Sequence, residues 1–377
     1  MSAASIAAAL GRQRNIPYAF GAMHAVVDAA TVSVVVSASF LHELPLGRAF
    51  TLILVYDLLA FGAQTFLGLV VDRVARPRAA VLLGLVLTLA CVAALPFEPT
   101  IAMLFAGVGN ALFHVGAGAL TLCMGGGRAS PSGIFVGPGA LGLGFGTWLG
   151  RQGIYQPWPF YAALALCLAV TLLFRDPLKY GVAADPSTGR PAQSGTTVPL
   201  AHVVVGLLLF SIVVRAFVGF AGSHDCPRSP TTLLALSVAA FSGKALGGIV
   251  SDRLGWTALS VGALVLSAPL IAFGGASLPM ITVGMFLFQM TMAVTLSAIA
   301  LAMPARPALA FGLTCLALVL GVLPTFTQLP GVVYRPEVFL ALIALSALAI
   351  FGGLRALGLA GAGAPTQSMR DLGTPRP

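Results

Sequence analysis

The chain has 377 residues, of which 58% are hydrophobic and only 8% are charged, and its mean hydropathy is +0.98. Soluble domains carry roughly 25% charged residues, so this composition excludes a soluble globular protein and predicts an integral membrane protein. The formal net charge of +9 does not indicate nucleic-acid binding, because Lys and Arg collect at the anionic inner surface of a membrane.

Runs of about 20 apolar residues predict transmembrane helices, and the first run begins near residue 16. This run is longer than the apolar core of a cleaved signal peptide, and His24 and Asp28 make it too polar for one. The twelve predicted spans are 16–38, 49–71, 79–96, 100–124, 131–150, 157–174, 200–222, 230–251, 257–275, 279–303, 308–329 and 337–357.

A polar stretch separates the first six spans from the last six. Residues 175–199 are rich in Pro, Gly, Ser and Thr, a composition typical of a flexible linker. We therefore expect an N-terminal six-helix half (1–174), a cytoplasmic linker (175–199), a C-terminal six-helix half (200–357) and a cytoplasmic tail (358–377).

The distribution of Lys and Arg predicts that both termini are cytoplasmic. In that orientation most of these residues fall in inner segments. The outer loops hold Arg48, Arg151, Arg228 and Arg335. This asymmetry follows the positive-inside rule, and the expected location is a plasma membrane, such as a bacterial inner membrane.

The two halves of the chain repeat one another. AFGAQTFLGLVVDR (60–73) returns as AFSGKALGGIVSDR (240–253), and a second alignment places Gly142 opposite Gly321. Self-similarity at a fixed spacing indicates duplication of a structural unit, which is a property of many secondary transporters. The sequence therefore predicts an all-α membrane protein with twelve transmembrane helices in two pseudo-symmetric halves of six.

Ionisable side chains inside predicted spans are candidates for function, because charge is costly in a bilayer. His24 and Asp28 share one face of span one at i, i+4 spacing, and Asn110 and His114 repeat that spacing on span four. Asp28 lies near the predicted midplane, where a carboxylate can take up and release a proton and the histidines can relay or share it. Alternatively, the imidazoles are neutral hydrogen-bonding partners that fix helix packing.

Asp57 and Arg215 lie at similar predicted depths in spans two and seven. An ion pair between them would close the outer side of the protein and would have to break in each transport cycle. In the alternatives, Arg215 binds an anionic substrate, pairs with Asp28, or extends its charged end to the outer surface.

Two segments resemble the loop motif of the major facilitator superfamily. GLVVDRVARPR (68–78) is similar to the motif between spans two and three, and GGIVSDRLG (247–255) is similar to its second copy. Ala75 stands where that motif has Gly. HAVVD (24–28) and GNALFHVGAG (109–118) resemble the fosmidomycin-resistance-like exporters of the same superfamily.

The resemblance implies the twelve-helix major facilitator fold, in which spans one, four, seven and ten line a central cavity. The side chains that it places around one proton-coupling and substrate site are His24, Asp28, Asn110, His114, Arg215 and Gln289.

The resemblance also implies a gate at the inner surface. Asp72 contacts the opposite half when the inner side is closed, aided by attraction to a helix N-terminus, and Asp252 has this role in the second copy. Arg73 and Arg253 are either part of the gate or ordinary topology charges.

Span five carries GIFVGPGALGLG (133–144), which is similar to a glycine and proline motif of superfamily antiporters. Small residues let helices approach closely, so Gly133, Gly137, Pro138 and Gly142 are interpreted either as a packing and kink surface or as a mark of proton-linked export.

The chain has no P-loop, no HExxH and no GxSxG motif, so we expect no enzyme, no cofactor and no metal site. The expected partners are a small-molecule substrate, protons and the lipid bilayer, and the expected state is a monomer. The predicted function is secondary active transport of a small organic solute by alternating access, as proton-coupled efflux. Proton-coupled uptake, uniport, a transporter-like ligand sensor and an intramembrane enzyme stay open as alternatives.

Overall fold

The computed structural model describes residues 15–153, 155–173, 200–227, 229–275 and 277–360. The expected linker, most of the expected tail and the outer-loop residue Arg228 lie outside the described residues.

Within these residues the fold is entirely helical and contains twelve spans. The spans are α1 Ile16–Leu41, α2 Leu46–Val74, α3 Pro77–Ala94, α4 Pro99–Met124, α5 Ser130–Gly150, α6 Trp158–Leu173, α7 Ala201–Ala221, α8 Pro230–Leu254, α9 Trp256–Ala272, α10 Leu278–Ala302, α11 Pro307–Val322 and α12 Pro336–Ala360. Nine of these spans are long and apolar enough to cross a membrane by length and composition, and two (α6 and α9) are shorter apolar helices. The remaining span, α5, is rich in glycine.

Each predicted span overlaps one of these helices, but three spans are less regular than predicted. A π turn, Leu58–Gly62, interrupts α2. The helix α10 is broken into Leu278–Gln289 and Met292–Ala302. The α-helical part of α11 ends at Val322, and a 3-10 turn that contains a proline, Leu323–Phe326, follows it. Hydropathy responds to apolar length and not to hydrogen-bond register, so it does not reveal these irregularities.

Buried side chains form two main hydrophobic clusters, one for each half. The first is built mainly from α1 to α6 and is completed by Met292, Leu296, Phe311 and Cys315 of the second half. The second is built from α7 to α12 and is completed by Ala129 of the first half. Each half therefore has its own core, and the two cores touch at a shared interface.

The glycines of the predicted packing motif make α5 a wedge between α1 and α8. Gly133 and Gly137 face backbone carbonyls of α8, and Cβ atoms added there would lie 2.5 and 3.1 Å from them. Gly142 faces α1, and Pro138 lies in the helix interior between these contacts. The absence of side chains lets α5 contact both neighbours at backbone distance.

The pseudo-symmetry is visible in equivalent helix contacts. Gly142 of α5 lies against the carbonyl of Ala25 on α1, and Gly321 of α11 lies against the carbonyl of Val213 on α7. The two glycines aligned in the sequence thus make the same type of contact in the two halves.

The turns that end α2 and α8 also correspond, but one of them is strained. Ala75 has the left-handed conformation, with φ of 54° and ψ of 37°. At the equivalent place after α8 the residue is Gly255, with φ of 92°. A residue with a Cβ pays for positive φ whereas glycine does not, which explains why the motif favours glycine at this position.

We expect Ala75→Gly to stabilise the protein by about 1 kcal/mol, because the exposed left-handed turn loses its Cβ strain. Gly255→Ala should destabilise it by a similar amount. The measurement is the apparent Tm of purified protein in detergent. An unchanged or lower Tm for Ala75→Gly would contradict the strain argument.

Candidate functional site

Two carboxylates join the halves on one face of the molecule, the face predicted to be cytoplasmic. Asp72, near the end of α2, accepts hydrogen bonds from the backbone N–H groups of Ala308 (3.1 Å) and Leu309 (2.8 Å) at the start of α11. Negative charge is stabilised at a helix N-terminus by the free N–H groups and the helix dipole. The first half thus caps a helix of the second half.

The second half caps a helix of the first half in the same way. Asp252, near the end of α8, accepts hydrogen bonds from the backbone N–H groups of Ala129 (2.8 Å) and Ser130 (2.9 Å) at the start of α5. Trp256 also donates its indole N–H to Asp252. Arg73 and Arg253, the neighbours of the two carboxylates, are exposed and form no ion pair with a described acid.

A glycine one turn before each carboxylate permits this contact. A Cβ at Gly68 would lie 2.5 Å from the carbonyl oxygen of Ala308, and a Cβ at Gly248 would lie 2.7 Å from that of Ala129. The spacing of glycine and aspartate in the sequence motif therefore has a geometric cause: the glycine admits the helix end that the aspartate caps.

A cavity of about 490 Å³ lies away from these carboxylate contacts. It lies between the ends of α5, α7 and α8 and includes Arg151, Phe220, His224 and Leu233 in its lining. Carboxylate contacts thus join the halves on the Asp72 face, whereas the ends of α5, α7 and α8 border a cavity.

His24, Asp28 and His114 form a compact buried cluster between α1 and α4. His24 Nε2 lies 3.1 Å from Asp28 Oδ2, and His114 Nε2 lies 3.5 Å from Asp28 Oδ1. The two Nε2 atoms are 2.7 Å apart. Each residue is less than 8% exposed, so the cluster is shielded from solvent in this conformation.

Backbone carbonyls fix both imidazole rings. His24 Nδ1 is 2.9 Å from the carbonyl oxygen of Phe135 on α5, and His114 Nδ1 is 2.8 Å from that of Asn110. The His24 ring also lies against Gly139, where a Cβ would overlap it. Because a carbonyl oxygen only accepts, both Nδ1 atoms carry a hydrogen, and both Nε2 atoms point into the cluster.

Asn110 extends this cluster towards α2. Its side-chain N–H donates to Asp28 (3.0 Å) and to the Thr31 hydroxyl (3.3 Å), which lies 3.1 Å from the Tyr56 hydroxyl. The side-chain oxygen of Asn110 is buried and has no hydrogen-bond partner among the described residues. Sequence reasoning missed Thr31 and Tyr56, although Thr31 lies one turn from Asp28 and shares its face of α1.

The cluster lies at the interface with the second half. Phe311 of α11 contacts the rings of His114 and Phe135, with centroid distances of 6.4 and 5.8 Å. A change in the relative position of the halves would therefore alter the surroundings of the cluster.

The same side chains have the spacing that a metal site needs. One ligand atom each from His24, Asp28 and His114 lies within 4.8 Å of the others, and no other group of the described residues has this property. A proton shared among these atoms would also satisfy them, so the spacing alone does not assign a metal site.

Arg215 of α7 lies apart from this cluster, on the second half. It is 6% exposed and donates to the hydroxyls of Thr291 and Thr295 on α10. It lines a small cavity together with Gln289. No hydrogen bond or ion pair of the described residues joins Arg215 or Gln289 to Asp28, so the single site expected from the sequence is divided between the two halves.

Asp57 and Arg215 do not form an ion pair in this structure. Asp57 is partly exposed beside the π turn of α2, whereas its neighbour Tyr56 points to the Asp28 cluster. The pair was predicted to form only when the Asp72 face opens, and it stays a prediction.

No protein-family profile matches the sequence, and no curated protein matches it. Solved structures do match. A variant of the fucose:proton symporter FucP of E. coli aligns with a TM-score of 0.64 at 12% identity, over 91% of this chain and 98% of that chain. FucP in the outward conformation, described as a Major Facilitator Superfamily transporter, aligns with a TM-score of 0.59 at 12% identity, over 90% and 99%.

The human organic anion transporter MFSD10 (TETRAN) aligns with a TM-score of 0.66 at 16% identity, over 92% of this chain and 99% of that chain. The chain has the major facilitator fold. This finding confirms the predicted all-α architecture with twelve spans in two halves, and it agrees with a multi-pass membrane protein.

We expect Gly68→Val and Gly248→Val to open the Asp72 face of this major facilitator fold, because a side chain at either position overlaps the backbone of the opposite half. The measurement is the distance between spin labels on cysteines placed at Arg76 and Arg306, which should lengthen. Gly206→Val is the control, since Gly206 has open space around it. Unchanged distances in both glycine variants would refute the steric account.

Proposed function

We propose that the chain is a secondary active transporter, not an enzyme, that exports a small organic solute in exchange for protons by alternating access. The observation that carries this proposal is the buried Asp28 cluster at the interface between two halves, which Asp72 and Asp252 close on one face. A buried carboxylate beside two imidazoles is a place to hold a transported proton.

The geometry of the histidines favours a shared proton. With hydrogens on both Nδ1 atoms, neutral imidazoles would face each other through Nε2 lone pairs at 2.7 Å, and lone pairs repel at that distance. One additional proton between His24 and His114 removes the repulsion. Asp28 then supplies the negative charge that balances the resulting imidazolium.

Several groups from neighbouring helices act on this proton. Histidines lie beside Asp28 on α1 and α4, Tyr56 of α2 reaches the cluster through Thr31, and Phe311 of α11 contacts the His114 ring. Phe311 belongs to the second half. Movement of that half changes the packing and the solvent around the cluster, which is how proton binding can be linked to conformation.

The proposed motion is a rocking of residues 1–174 against residues 200–357 around this interface. Residues 175–199 serve as the cytoplasmic linker and residues 358–377 as a cytoplasmic tail. The protein acts as a monomer in the plasma membrane, with both termini in the cytoplasm, and Asp72, Arg73, Asp252 and Arg253 form its inner gate.

The activities of the structural neighbours support secondary transport. FucP is a fucose:proton symporter, which makes proton-coupled uptake the second candidate. MFSD10 is an organic anion transporter. The close glycine contacts of α5, which resemble an antiporter motif, are the reason that export is the first candidate.

We expect Asp28→Asn to abolish proton-driven transport and to leave solute exchange intact. Asparagine removes the charge that balances the protonated histidines, and an uncompensated buried charge costs several kcal/mol, so the transported proton is no longer bound. The measurement is flux into proteoliposomes under an imposed pH gradient, compared with counterflow exchange without a gradient.

The direction of the pH gradient separates export from uptake. Antiport requires that solute and protons move in opposite directions, and symport requires the same direction. His42, which bonds a carbonyl outside the cluster, supplies the control variant His42→Gln. If Asp28→Asn still concentrates solute in response to a pH gradient, Asp28 has a structural role.

A further inference from the structure

The buried Arg215 has no negatively charged partner among the described residues. Its side chain is almost fully enclosed, and no carboxylate of the described residues lies within ion-pair distance of it. Arginine stays protonated in proteins, so it does not escape this cost by releasing its proton. A buried charge without a counter-charge is strongly unfavourable.

The hydrogen bonds that Arg215 makes do not compensate this charge. Thr291 and Thr295 accept from its two terminal nitrogens, and both hydroxyls donate to carbonyls of their own helix. These bonds use two of the five guanidinium N–H groups. The Nε atom is buried and has no partner among the described residues.

The two threonines orient the guanidinium group. They stand at i, i+4 on α10, and Thr291 lies directly at the break of this helix. Because the terminal nitrogens are held by α10, the Nε edge remains available for another group. A guanidinium edge binds carboxylate or phosphate oxygens through parallel hydrogen bonds.

The space beside Arg215 is a small cavity of about 40 Å³, which in this conformation has room for only a small part of a ligand. Gln289 contributes an amide to the same cavity, and the rest of its lining is apolar: Ile212, Ala216, Phe288, Met292 and Leu318. The second segment of α10 begins at Met292, and a helix N-terminus also favours an anion. The chemistry of this lining suits an anionic group with an adjoining apolar part, and a whole solute requires a wider cavity than this conformation has.

We propose that Arg215 and Gln289 bind the anionic group of the transported solute, which is therefore a small organic carboxylate, phosphonate or phosphate ester. The inference rests on the proposed transport function, since it names the substrate class of that transporter. Thr291 and Thr295 are positioning residues that hold the guanidinium in place.

The first test is ligand binding, which does not depend on transport. Purified protein is titrated with sodium acetate, succinate, methylphosphonate and phenylphosphonate at constant ionic strength, with acetamide and tetramethylammonium chloride as neutral and cationic controls. At tenfold excess over its Kd, a bound anion should raise the apparent Tm by about 3 °C. Stabilisation by the cation or the amide alone would overturn the proposal.

The second test uses Arg215 variants. Arg215→Met should abolish the anion-induced shift and should raise or leave unchanged the Tm without ligand, because it removes an uncompensated buried charge. Arg215→Lys should keep a weaker shift, since lysine lacks the planar edge. Arg355→Gln, an exposed arginine of the same half, is the control and should keep the full shift.

Two outcomes would contradict the proposal. An anion-induced shift that persists in Arg215→Met places the anion elsewhere. The second outcome is a lower Tm without ligand in both Arg215→Met and Arg215→Lys, together with the full anion-induced shift in Arg215→Lys. It would show that the guanidinium edge has a structural role and does not bind the anion.

A charge swap distinguishes the anion site from the gate hypothesis. Asp57→Arg combined with Arg215→Asp should not restore transport if Arg215 binds the solute. Restored transport would instead assign the arginine to an ion pair with Asp57. Anion binding that depends on Arg215 without proton-driven flux would reject the transport function alone, and proton-driven flux without such binding would reject the anion site alone.

Discussion

The structure depends on a carboxylate from each half that caps a helix of the other half. Asp72 bonds the start of α11 and Asp252 bonds the start of α5, so each contact pairs a charge with helix N–H groups that have no other partner. These charge-assisted hydrogen bonds stabilise the closed face. When they break, water at the membrane surface can bond both the carboxylate and the N–H groups, so neither is left without a partner. Such contacts are therefore suited to a face that must close and reopen, and they hold the interface in which the Asp28 cluster lies buried.

The two buried polar sites differ in how their charge is balanced. Asp28 has two imidazoles and an amide around it, all from the first half, so one proton makes the cluster neutral without any contribution from a solute. Among the described residues, Arg215 has only hydroxyl partners, all from the second half. In the proposed function, the solute brings the anion that balances this charge. A proton would thus complete the site of the first half, and a ligand would complete that of the second half.

Much of this arrangement could be predicted from the sequence, because the relevant signals are local. The apolar runs gave the spans, the i, i+4 spacing of His24 and Asp28 placed both on one face, and the repeated glycine and aspartate located the contacts between halves. Partners from distant helices had no such signal. Nothing in the chain order indicates that the Phe135 carbonyl fixes His24, that Tyr56 and not Asp57 faces the cluster, or that α10 breaks beside Arg215.

The duplication explains which features occur twice and which occur once. Closure of one face requires matching contacts from both halves, so the glycine, the aspartate and the capped helix are present in each copy. A binding site at the centre has no such requirement, since a single proton or solute occupies it. Accordingly, among the described residues, the imidazole cluster lies in the first half and the buried guanidinium in the second. In the proposed transporter, the symmetric parts would set how the halves move, and the asymmetric parts would set what they carry.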